Sequence, residues 1–107
     1  MSNGKIAACL MAYEQTVNPL LQQLAEANKN LNDGILACQI EYGKSVACEG
    51  KTGLALIECK ITAQFKEGQC ETAAKEKYQP IINSLLNQIS EAVHVRLLCI
   101  LRATDPI

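Results

Sequence analysis

Apolar side chains return every three or four residues along most of this chain and almost nowhere every two, so the pattern is helical from end to end. On a wheel of about 100° per residue with Cys9 at zero, Ile6, Leu10, Tyr13, Val17, Leu20, Leu24, Leu31, Ile35, Cys38 and Tyr42 fall within one arc of about 100°. Leu10, Val17, Leu24, Leu31 and Cys38 are spaced by seven, the period of a coiled-coil seam. The phase survives Pro19 and Gly34, which predicts one long helix capped near Ser2 or Asn3. The alternative is a break at "NLNDG", residues 30–34, where Asn, Asp and Gly favour a turn.

"EGKTG", residues 49–53, reads as the connection, because two glycines within four residues stop a helix, and Thr52 can cap the next one. Leu54, Ile57, Ile61 and Phe65 form a second stripe at helical spacing. Gly68 in "KEGQ" reads as a helix C-terminus, and "ETAAKEK" as a solvated segment. A last helix follows, with Pro80 near its beginning, where proline is tolerated. Tyr78, Ile81, Ile82, Leu85, Ile89, Ala92, Val93, Leu97 and Ile100 share one face of it, about 160° wide on the wheel. So wide a face needs two neighbours, supplied by the same chain or by a second copy in a homodimer. The expected fold is all-α: an antiparallel helical hairpin or bundle of three to four helices, in a single domain over residues 1–107.

Six cysteines change this picture most. They stand at Cys9, Cys38, Cys48, Cys59, Cys70 and Cys99. Taken from the outside inward, the residue numbers of Cys9 with Cys99, Cys38 with Cys70 and Cys48 with Cys59 add to the same total within one. Residues opposite one another in an antiparallel hairpin have this property, and the midpoint falls at the predicted turn near Gly53. Helical phase agrees: Cys9 to Cys38 and Cys70 to Cys99 each leave only about 20° after whole turns. The geometry thus singles out one of fifteen pairings, three nested disulfides. Zinc needs close ligand pairs, and no two cysteines here lie nearer than ten residues, so no metal site is expected. A C-x-x-C redox motif is missing. Disulfides place the chain in an oxidising compartment.

The spacing Cys38–Cys48 is C-x9-C and Cys59–Cys70 is C-x10-C, which resembles the twin C-x9-C, or coiled-coil–helix–coiled-coil–helix, proteins of the mitochondrial intermembrane space. The resemblance covers about a third of the chain, and Cys9 and Cys99 depart from the simplest members. It implies bridges across a helical hairpin. Nested pairs on helices with a central C-x10-C also resemble the saposin-like arrangement, whose close terminal cysteine pairs are absent here.

Composition removes several classes of function. The 107 residues carry ten basic and eleven acidic groups, with no basic stripe, so no nucleic-acid partner is expected. No apolar run is long enough for a transmembrane segment, and "MSNGKIAACLMAYEQ" lacks the apolar run of a signal peptide. Apolar residues make up 49%, yet aromatics are limited to Tyr13, Tyr42, Phe65 and Tyr78, so the core is aliphatic and cysteine. His94, the only histidine, falls opposite the last helix's apolar face, and the carboxylates are scattered. No catalytic residue and no cofactor is expected. Asn28, Asn30, Asn32, Asn83, Asn87, Gln22, Gln23 and Gln88 suggest polar faces of low charge. These features point to a secreted, extracellular, non-enzymatic binding protein for a protein partner, an apolar small molecule or a lipid. The alternative is an assembly or structural factor of the mitochondrial intermembrane space.

Overall fold

A computed structural model describes residues 2–43 and 48–104. Among them there are two helices and no strand: α1, Ser2–Tyr42, and α2, Gly53–Ala103. Two helices replace the three to four expected. Gly68 does not end a helix; it lies inside α2 without the left-handed backbone of a C-terminal glycine. Pro80 is likewise interior, as Pro19 is in α1. Each proline forfeits one backbone hydrogen bond, but both rings sit on exposed positions. The local breaking signals are overridden by apolar contacts and bridges on either side of them.

The connection uses its glycines as predicted. Lys51 N–H donates to the carbonyl of Cys48 at 3.2 Å, closing a turn whose third residue, Gly50, has φ +78°. That is the arrangement of a type II turn, which needs a positive φ at this place. Gly53, at φ +62°, opens α2, and the Leu56 N–H donates to the carbonyl of Thr52 at 3.4 Å.

The chain forms two compact units. Unit 1 holds Met1–Glu26 and Ile81–Ile107; unit 2 holds Ala27–Pro80. Each pairs a stretch of α1 with an antiparallel stretch of α2. In unit 1, the Cys9–Cys99 bridge and the stacking of Arg96 on Tyr13 fix the register. In unit 2, Cys38 is bonded to Cys70, and a side chain built at Gly34 would reach Ala74 at 3.4 Å. Gly34 is therefore a place of close helix approach rather than a break.

Along α1 the buried and half-buried positions are Ile6, Cys9, Tyr13, Val17, Leu20, Leu24, Ala27, Leu31, Gly34, Ile35, Cys38 and Tyr42. Apart from the adjacent pair Gly34 and Ile35, their steps of three and four keep one narrow stripe inward. Leu10 lies outside it at 42% exposure, whereas Ala27, absent from the predicted stripe, is buried. The second predicted stripe is on the wrong side. Leu54, Ile57, Ile61 and Phe65 are 56–71% exposed, and the inward positions are Leu56, Cys59 and Ala63. The Cys48–Cys59 bridge turns that face inward, and the larger side chains follow on the opposite side of the helix.

Candidate functional site

Three disulfides organise the molecule: Cys9–Cys99, Cys38–Cys70 and Cys48–Cys59, with Cα–Cα distances of 5.8, 5.7 and 5.7 Å. These separations suit a bridge and are shorter than the 8–10 Å typical of helix axes, so Cys9, Cys99, Cys38 and Cys70 sit on the facing edges of their helices, while Cys48 reaches Cys59 of α2 from the turn. No cysteine is free. Among the described residues no side-chain cluster suits a metal ion, and no polar or charged side chain is buried. His94 is exposed. Among the described residues no helix is long and apolar enough to cross a membrane.

Two surfaces stand out as candidate sites. The first is a groove of about 350 Å³ on one side of unit 1. Its floor is the Cys9–Cys99 bridge with Ala12, Leu20, Ala92 and Val95, and its polar atoms come from Thr16, Gln88, Glu91 and Arg96. Thr16 spends its hydroxyl on the carbonyl of Ala12, at 3.0 Å, and the Gln88 amide donates to the hydroxyl of Ser84 at 3.3 Å. Arg96 is half-buried at a seam position, its guanidinium 4.3 Å from the centre of the Tyr13 ring. A cation over a ring face is held by the ring's quadrupole. The sequence reading missed Arg96. The signal was present, since its number and that of Tyr13 add to the total of the cysteine pairs within one.

The second surface is the outward stripe of unit 2. Leu54, Ile57, Ile61 and Phe65 recur at helical spacing with nothing packed over them, and a shallow depression lined by Phe65, Gly68 and Thr72 continues it. Single exposed leucines are ordinary; a stripe of four over about three turns is a mark of interaction.

No family model, no curated protein and no solved structure matches the chain. What the fold and surfaces define is an all-helical, cysteine-rich protein held by three disulfides.

Proposed function

We propose that the chain is a non-enzymatic binding module of an oxidising compartment, extracellular or intermembrane, that meets its partner through apolar helix faces. One observation carries this: sixteen large hydrophobic side chains are at least 37% exposed, whereas Val17, Ile82 and Leu85 are the only large aliphatic ones buried among the described residues. The accessible surface of 7806 Å² exceeds by about 2,000 Å² the value typical of a folded monomer of this mass. An excess of that size is more than the about 800 Å² that each partner buries in a standard interface. The bridges hold the helices in place beforehand, which lowers the entropy cost of association.

The test uses the oxidised full chain, immobilised and exposed to fluid from its own compartment. Wild type is expected to retain a defined partner, and Ile61→Asp and Phe65→Asp to lose it. Equal retention by both variants defeats the reading for this stripe. The groove of unit 1 favours a second version, in which an apolar chain lies along Leu20, Ala92 and Val95 with a polar end near Arg96. Organic extraction of the natively purified protein followed by mass spectrometry decides that version, and an empty groove counts against it.

A further inference from the structure

The two sides of the helix pair in unit 1 differ in character. The groove shows which flanks share a side: Ala12 and Thr16 of α1 meet Gln88 and Val95 of α2 there. The opposite flanks therefore form the other side. On the wheel these are Leu10 and Leu21 of α1 with Leu86, Val93 and Leu97 of α2, and all five are exposed, at 37–52%. Among the described residues within about 120° of the seam on this side, Glu14 is the only charged one. The groove side, by contrast, carries Lys5, Glu91 and Arg102 at its openings.

We propose that this uncharged aliphatic side is the contact between two copies of the chain, which pair about a two-fold axis into a four-helix bundle. The proposal names the partner of one apolar face and so rests on the reading of the chain as a binding module. An isologous interface brings each residue near its own equivalents, so it tolerates few charges of one sign. A face with one carboxylate meets that condition; the groove side does not. Size agrees as well. The face runs from Asn3 to Ala25 on α1, about 33 Å at 1.5 Å per residue, and is two helices wide, about 20 Å. The resulting plane of about 660 Å² compares with about 800 Å² of accessible surface per partner in a standard interface. Bundle helices need a wider apolar face than a two-stranded seam. Val93 and Leu97 lie outside the seam that α1 covers, and a second copy covers them.

Sedimentation of the oxidised full chain from about 1 μM to about 1 mM tests this. The expected result is a concentration-dependent doubling of the 11.6 kDa mass. Leu21→Glu and Val93→Glu should each weaken association at least about tenfold. Leu21→Met should retain it, and so should Gln22→Glu, which sets the same charge one residue away, off the face. Far-UV circular dichroism and a count of free thiols show that each variant is folded and bridged. A wild type that stays monomeric overturns the proposal, including one that instead sediments with phosphatidylcholine vesicles. So does a dimer indifferent to both face variants, or one broken equally by Gln22→Glu. A monomer whose Ile61→Asp variant still loses its own partner sinks self-association and leaves the binding-module reading standing.

Discussion

Three glycines show how one residue type takes opposite meanings. Gly50 holds a positive φ in the turn, where a Cβ is strained whatever the space around it. Gly68 has ordinary helical backbone and nothing within 4 Å of a built Cβ. Gly50→Ala is therefore expected to cost about 1 kcal/mol, and Gly68→Ala to gain about 0.5–1 kcal/mol. Thermal unfolding of the oxidised proteins checks both signs. Gly34 lies between: its Cβ would meet Ala74 at ordinary contact distance, so Gly34→Ala should not destabilise. Arg96 is the other residue whose role depends on its setting. Its stem lies in the seam and its charge on the Tyr13 ring, so Arg96→Ala should cost about 1 kcal/mol by losing both.

At the scale of elements, α1 was legible because it has a single apolar stripe. Val17, Leu20 and Leu24 left its phase no alternative, and the helix continued through Pro19 and Gly34 as that phase required. The first turns of α2 were not legible, because two stripes compete there. Leu54, Ile57, Ile61 and Phe65 outweigh Leu56, Cys59 and Ala63 on any scale of hydrophobicity, yet the weaker set faces inward. Covalent connection decided the phase, and a hydrophobic wheel does not weigh it. The same competition hid the continuity of α2, since Gly68 and Pro80 are strong local signals and the bridge at Cys70 acts over a long distance. The inward set makes a sharp prediction. Ala63→Asp buries a charge and should cost about 3 kcal/mol or more, whereas Ile61→Asp and Phe65→Asp should each stay within about 0.5 kcal/mol. Urea unfolding distinguishes them, and comparable losses at all three positions would reverse the phase assigned to α2.

For the molecule as a whole, the bridges divide their work unequally. Unit 2 contains Cys38–Cys70 and Cys48–Cys59; unit 1 has Cys9–Cys99 alone. Nesting shortens the loop each bridge closes, because an inner bridge already restrains the unfolded chain within an outer one. With Cys38–Cys70 intact, closing Cys9–Cys99 still spans about 60 residues of free path, an entropic contribution of about 4 kcal/mol. Cys38–Cys70, with Cys48–Cys59 intact, closes about 20 residues and contributes about 3 kcal/mol. Unit 1 buries three large aliphatic side chains, Val17, Ile82 and Leu85, and unit 2 none, but three such contacts leave little to replace the one bridge of unit 1 once it is lost. The Cys9→Ser/Cys99→Ser double variant is expected to unfold in two steps, with unit 1 opening first and unit 2 holding its two bridges. Hydrogen exchange resolved by peptide should show early loss of protection over residues 2–26 and 81–104 and persistence over 27–43 and 48–80. The Cys38→Ser/Cys70→Ser variant should unfold later than this, because its remaining bridges still pin each unit once. A single cooperative loss in both variants would mean that the units share one core, and the unequal division of work argued for the bridges would fail.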